Sequence, residues 1–260
     1  FIYGTLPYYF MKGYKPGSPY LKYYEYIKEH GYSRHLYEFK DEYANMPVDV
    51  QKDEKKGLYY VQKEKKRLYF RKSTPAKKIQ KYYRALSMEQ DRRSPHHYFN
   101  SVKEVTGKVF VDVGCAEGYS SLEIIEEAKH VYLFEQDEQW LEAIRATFEP
   151  WQDKVTIVQK YVSDHNSSRE QTLDDFFNNQ TNEHLFLKMD IEGAERHALA
   201  GCNNLFQNCQ KLDFAICTYH LRDDEEVISA FLDKHNCTYI NQKGFFRHKI
   251  RSVVMRGSKK

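Results

Sequence analysis

The stretch Lys108–Ser121, KVFVDVGCAEGYSS, constrains this chain more than any other, because a run of β-branched and aromatic residues passes through two glycines into a helical pattern. Val109, Phe110, Val111 and Val113 read as a strand buried on both faces, and Leu122, Ile125 and Ala128 recur at helical spacing. Gly114 and Gly118 bracket the loop between them. A strand, glycine loop and helix in this order lets a ligand approach the backbone and meet the N–H groups of a helix N-terminus. The same glycines also serve simply to close a β-to-α turn, so the loop alone names no ligand.

The next apolar run, His130–Phe134, ends at Glu135. An acidic residue at that distance is where a nucleotide-binding α/β unit receives ribose hydroxyls, since a carboxylate accepts two hydrogen bonds. The alternative is a solvated acid that opens the following helix together with Asp137 and Glu138.

At 260 residues the chain can hold one α/β domain, expected over 94–260, and an N-terminal extension over 1–93. Five cysteines, Cys115, Cys202, Cys209, Cys217 and Cys237, form no CxxC pair. That argues against a disulfide framework or zinc knuckle and for a reducing, cytoplasmic setting. No apolar run is long enough to span a bilayer, and no signal-peptide pattern is read.

Residues 1 to about 50 mix tyrosine with Pro7, Gly13, Pro16, Gly17, Pro19 and Pro47, around one helix expected near Tyr20–His30. From Gly57, GLYYVQKEKKRLYF reads as a hairpin about a Lys-rich turn. Pro75 then starts a helix whose stripe of Ile79, Tyr82, Tyr83 and Leu86 is expected in the core. Lys52–Arg84 carries 13 Lys and Arg against 3 Asp and Glu, an excess of 10 in a chain of net charge +3, so the remainder is acidic. A basic face of this kind attracts polyanions, yet it is also what a solvated hairpin and helix look like, and nucleic-acid binding is not favoured. In MEQDRRSPHHYF, Ser94 and Pro95 are expected as N-cap and first turn of a helix. His96 and His97 follow, either facing a cofactor pocket or exposed on that turn.

Beyond Glu135, Trp140, Ile144 and Phe148 form a buried helical stripe and Val155–Val158 a third strand, which Val162, Ser163 and Asp164 are expected to end in a polar turn. Asp164 suits an adenine amino group or a plain turn carboxylate; Thr172 starts a helix. The fourth strand, from Leu185, carries Lys188 and Asp190 on one face, with Asp190 at the carboxyl end where open α/β sheets bind ligands. A lysine inside an apolar strand needs a partner, expected to be Asp190 or Glu192. Asp190 also reads as a helix cap, with Glu192 and Glu195 in the first turn. The fifth strand is expected to end at His220, beside Asp190, as a general base or as the opening of the next helix. The tail reads as an antiparallel pair about a Gly244-Phe245-Phe246 turn.

Taken together, FVDVGCAEGYSS, FEQD, TLDDFF and LKMDIEGAE resemble the FkbM-type methyltransferases, S-adenosylmethionine-dependent enzymes associated with O-methylation of sugars and other natural products. The resemblance covers roughly Phe110 to His220; KMDIEGAE is its most specific part, and EQDRRSPHHYF is similar to a segment preceding the catalytic domain in some members. It implies a Rossmann-like, mostly parallel seven-stranded sheet with an antiparallel C-terminal hairpin. It implies that Asp112, Gly114, Cys115 and Gly118 line the methionine end of the cofactor, Glu135 and Gln136 the ribose region, and Ser163 and Asp164 the adenine, with His96 nearby. Lys188, Asp190, Glu192 and His220 would border the transfer site, where His220 or Asp190 takes a proton. With a sugar acceptor, Asp190 and Glu192 could instead hold a divalent cation such as magnesium.

Glu117 stands where a further loop glycine would complete GxGxG, and the dinucleotide pattern GxGxxG is absent. MDIEG also lacks the Asn/Asp-Pro-Pro-aromatic motif expected of enzymes that methylate base amino groups. The expected function is therefore O-methylation of a saccharide or other small molecule. A nucleotide-dependent oxidoreductase and a polyanion-binding module are the alternatives; no oligomeric state is implied.

Overall fold

The computed structural model describes residues 17–33, 35–178, 183–246 and 249–259. The readings at Pro7, Gly13 and Pro16 lie outside the described residues. Five consecutive buried residues make β4 (Val109–Val113) the centre of the molecule. It lies between β5 (His130–Phe134) and β9 (His184–Met189), paired in parallel with both. β6 (Val155–Val158) continues the sheet beyond β5, and β10 (Lys211–Cys217) pairs in parallel with β9. β12 (Lys249–Lys259) inserts antiparallel between β10 and the edge strand β11 (Thr238–Phe246). The sheet is thus a seven-stranded, mostly parallel Rossmann-like sheet with an antiparallel C-terminal hairpin. β4, β5 and β6 run outward to one side and β9 and β10 to the other, so chain order reverses between β4 and β9.

Helices cover both faces. α4 (Tyr119–Ile124) follows the glycine loop, and α5 (Glu138–Phe148) buries Trp140, Ile144 and Phe148 as their spacing requires. α6 (Leu173–Phe176) opens at Thr172, whose Oγ1 accepts from the Asp175 N–H. α7 (Glu195–Ala200), α8 (Asn203–Asn208) and α9 (Asp224–Lys234) complete the domain. No helix among the described residues is long and apolar enough to cross a membrane.

Ahead of the sheet, α1 (Leu21–His30) and α2 (Lys40–Ala44) precede a three-stranded antiparallel sheet of β1 (Val50–Asp53), β2 (Leu58–Lys63) and β3 (Lys66–Tyr69). Its Leu58, Leu68 and Phe70 belong to the same apolar cluster as Phe110, Leu122 and Ile144. The Tyr69 N–H donates to Thr147 Oγ1 of α5 at 3.0 Å. α3 (Ala76–Glu89) follows, with Pro75 at its N-cap.

Several expectations change. Ser94 and Pro95 begin a turn rather than a helix: Ser94 Oγ accepts from the His96 N–H at 3.1 Å, and no helix follows until a short 3₁₀ turn at Val102–Val105. Tyr161–Val162 is not the end of β6. The Lys160 N–H donates to the Val158 carbonyl, the chain turns, and β7 (Tyr161–Val162) pairs with β8 (Glu170–Gln171) in a ribbon of its own. Gly244, Phe245 and Phe246 lie inside β11 and pair with Arg251, Ile250 and Lys249. β10 stops at Cys217, and the Thr218 N–H crosses to the Val253 carbonyl.

Gly114 has φ +78°, and a Cβ there would strike the Asp190 carbonyl and the Ile191 side chain. The glycine is therefore demanded by the approach of two loops of the protein itself. Gly114→Ala should cost about 3 kcal/mol or more, from left-handed strain plus displacement of the Asp190 loop. Urea unfolding of the variant against the parent chain reads this directly; a loss below about 1 kcal/mol would show that the loops part easily.

Candidate active site

A cavity of about 1230 Å³ opens at the carboxyl ends of β4, β5 and β9. That is the reversal point of an open α/β sheet, where such folds hold ligands. Gly114–Glu117, Glu135–Asp137, Ser163–His165 and Asp190–Glu192 line it from the sheet side. The opposite wall comes from the N-terminal part of the chain: Phe70, Arg71 and Thr74, then Lys78, Tyr82 and Leu86 of α3. Tyr82 and Leu86, expected in the core, thus face the cavity, while Ile79 alone of that stripe is fully buried.

At the floor, Asp112 and Lys188 are both buried and stand opposite each other in the β4–β9 register. Lys188 Nζ lies 2.8 Å from Asp112 Oδ1 and donates to the Gly114 carbonyl at 2.7 Å. This corrects the expected pairing of Lys188 with Asp190 or Glu192. Alternation along one strand pointed to the neighbour two residues on, whereas the sheet register supplies a partner 76 residues earlier. Burial works against the Lys188 charge, but the Asp112 and Asp190 carboxylates outweigh it and hold the pKa above the usual lysine value. Asp112 also accepts from Ser121 Oγ at 2.6 Å, tying the floor to α4.

The two loops flanking the cavity each contain a non-glycine residue with positive φ, Ala116 at 47° and Glu192 at 56°. Carboxylates stabilise both. Glu135 accepts from the Ala116 N–H at 3.0 Å and from the Asp137 N–H at 2.8 Å. Glu195, fully buried, accepts from the Ile191 N–H at 2.8 Å and the Gly193 N–H at 3.0 Å. α7 starts at Glu195, so Asp190 is not its cap.

Asp190 instead accepts from the buried Tyr98 hydroxyl at 2.6 Å. His220 Nε2 lies 3.4 Å from Asp190 Oδ1, and His220 Nδ1 lies 2.9 Å from Glu195 Oε1. The expected neighbourhood of Asp190 and His220 is present, but only Asp190 reaches the cavity wall. Burial lowers the His220 pKa, and the Glu195 hydrogen bond with the Asp190, Glu195 and Glu192 charges raises it further, for a net rise. Burial likewise pushes the Tyr98 hydroxyl far up, aided by Asp190, and keeps the Cys115 thiol neutral.

The expected cation pair of Asp190 and Glu192 is not drawn together. The Glu192 side chain is 91% exposed, and the donor atoms that do converge, within 4.8 Å, are on Asp190, Glu195 and His220. Glu195 is already engaged there by two backbone N–H groups and the imidazole. Gly118 and His96 do not line the cavity. A Cβ on Gly118, at φ +82°, would meet the Phe148 ring, and His96 is buried against Tyr37, Tyr219 and Phe246. Asp164 is at the rim with His165, and Ser163, Gln136 and Cys115 are in the wall.

Sequence reasoning missed Glu117. It is buried at the cavity, its Oε2 accepting from the Tyr82 hydroxyl at 2.8 Å, and burial raises its pKa despite that hydrogen bond. A charged residue in a glycine loop reads as solvated, and only the approach of α3 buries it. Arg71 and Tyr98 were missed for the same reason: their partners are distant in sequence.

Lys188→Met should destabilise by about 3–5 kcal/mol, because Asp112 is left buried without a counter-charge. Adding Asp112→Asn should restore much of that loss in urea unfolding, and strictly additive losses would refute the pairing. For His220, a raised pKa means the imidazolium persists above the ordinary value of 6.5. Its contribution to stability is then complete below that value and is lost as pH rises through the raised one. Titration of the His220 ring signal by NMR should give a midpoint above 6.5 that falls in Glu195→Gln; a midpoint unmoved by the substitution would remove Glu195 as the cause.

Residues 113–240 match the family described as the methyltransferase FkbM domain. Among solved structures the chain is similar to a methyltransferase FkbM from Methylobacillus flagellatus KT, at 17% identity and TM-score 0.47, over 71% of this chain and 55% of that one. It thus spans about half the length of that protein. It is also similar to magnesium protoporphyrin IX methyltransferase from Synechocystis PCC 6803, at 12% identity and TM-score 0.45, over 72% of this chain and 86% of the other. A third match is an rRNA methylase from Streptococcus thermophilus, at 12% identity and TM-score 0.40, over 60% of this chain and 89% of the other. No curated protein matches the chain.

Proposed function

Because the chain belongs to the FkbM methyltransferase family through residues 113–240, we propose that it uses S-adenosylmethionine to methylate a hydroxyl of a saccharide or similar small molecule. One observation carries this reading: a single cavity joins Glu135, at the end of β5, to Asp190, at the end of β9. The residues present fit the cofactor. Glu135 is fixed by two backbone N–H donors, and a carboxylate accepts about four hydrogen bonds, so capacity remains for ribose hydroxyls. Ser163, Asp164 and Gln136 offer polar groups for an adenine, and the neutral Cys115 and Ala116 give an uncharged wall.

The bound cofactor supplies a methyl group already activated by its sulfonium. The chain then has to orient the acceptor and take its proton. Asp190 is the proton acceptor at the cavity surface; the Tyr98 hydroxyl donates to its Oδ2, and the His220 imidazole lies 3.4 Å from its Oδ1. His220 acts behind Asp190 as a positioning group, with Glu195 fixing the orientation of its ring. Tyr98 and Tyr219 contribute aromatic surface to the same end, and Glu89 and Glu192 add carboxylates. Aromatic faces with carboxylates suit a neutral, hydroxyl-rich acceptor and oppose a polyanion such as nucleic acid.

Calorimetric titration with S-adenosylhomocysteine, with a nicotinamide cofactor as control, tests the reading. Micromolar binding of the adenosyl ligand alone is expected. Glu135→Gln should weaken it by roughly tenfold or more, the scale of a lost charge-assisted hydrogen bond, while Asp190→Asn should leave it unchanged. Nicotinamide binding, or no adenosyl binding, would overturn the proposal.

A further inference from the structure

We infer that Arg71, ahead of the matched family domain, receives the carboxylate of the cofactor's amino-acid tail opposite Glu117, so that the N-terminal part of the chain completes the cofactor site. The inference rests on the methyltransferase reading and concerns only how the pocket reads the tail.

The argument begins with charge. The cofactor's tail carries one carboxylate into a cavity whose walls present Glu117, Glu135, Asp137 and Asp190. A carboxylate there needs a cation. Lys188 is committed to Asp112 and the Gly114 carbonyl. Lys160 is at the β7–β8 side, against the Ser167 carbonyl and Gln171. Lys78 is exposed. Arg71 differs from all three: its guanidinium lies 4.0 Å from the centroid of the Trp140 ring and pairs with Asp137 at 2.7 Å, yet its Nε is buried and makes no hydrogen bond. A guanidinium offers five donors in a rigid fork that matches a carboxylate, and a buried donor left unmade is costly.

Glu117 supplies the opposite charge nearby. The Tyr82 hydroxyl donates to it, the Tyr82 ring stacks on Trp140, and Trp140 is the ring that Arg71 covers. An anion and a cation thus flank one pair of aromatic rings, the arrangement that an α-ammonium and an α-carboxylate require. The bland alternative is that Arg71 only tethers β3 to α5 through Asp137 and Trp140. That alternative uses Arg71 for a single carboxylate, although its side chain is 28% exposed in the cavity wall and the guanidinium fork offers five donors.

Calorimetry on the full chain with three ligands separates the two: S-adenosylhomocysteine, its decarboxylated analogue that keeps the amine, and methylthioadenosine, which lacks both charges. The parent chain should bind S-adenosylhomocysteine at least about tenfold more tightly than the decarboxylated analogue. Arg71→Gln should abolish that preference while leaving methylthioadenosine affinity unchanged, and Arg71→Lys, which keeps charge but not the fork, should retain part of it. Glu117→Gln should weaken the two amine-bearing ligands and spare methylthioadenosine. A parent chain that binds the first two ligands equally, or an Arg71→Gln variant that weakens all three alike, would overturn the inference while leaving the cofactor reading standing. Failure of every adenosyl ligand to bind the parent chain would overturn both.

Discussion

The ion pair between Asp112 and Lys188 is the contact on which the rest of the molecule depends. It joins β4 to β9 across the line where chain order reverses, and it is buried on all sides. Desolvating two charges offsets much of their attraction, so the pair is poor evidence of net stability. Its value is in register. A one-residue slip between the strands would leave each charge facing apolar neighbours, at the cost of an unpaired buried charge on each strand. Because Lys188 also holds the Gly114 carbonyl and Asp112 also holds Ser121, the same pair fixes both ends of the glycine loop.

Around that floor, carboxylates act mainly by stabilising backbone. Glu195 accepts two N–H groups from the loop that holds the left-handed Glu192, and Glu135 accepts one from the left-handed Ala116 and one from Asp137 in its own loop. These loops therefore keep one conformation, and the groups they carry toward the cavity are positioned in advance. Preorganisation of this kind limits the reordering that binding would otherwise require.

The parallel strands were legible because their patterns are local: a β-rich, mainly apolar run ending at a glycine or an acid at 113–114 and 134–135 already implies a buried strand and a carboxyl-end loop. The family was legible for the same reason, since its motifs sit on those strand ends. What could not be read was lateral. The partner of Lys188 follows from sheet register, the burial of Glu117 from a helix 35 residues away, and the role of Tyr98 from a contact with Asp190 across 92 residues. Ser94 and Pro95 mislead for a different reason: the pair suits a helix start and a turn equally, and His96, buried against Tyr37 and Phe246, directs the chain inward instead of into a helix.

The shared core of the N-terminal sheet and β4 has a consequence for synthesis. Leu58, Leu68 and Phe70 leave the ribosome first, yet the surface that buries them, on Phe110, Leu122, Ile144 and Phe148, is made up to 78 residues after Phe70. A chain growing by about 5–20 residues per second therefore exposes this apolar hairpin for several seconds before its cover exists. The same stretch, residues 52–84, is crowded with lysines and arginines, and like charges on an exposed strand edge oppose pairing between chains. The basic face is then a property of the chain while it is being made as much as of the folded protein.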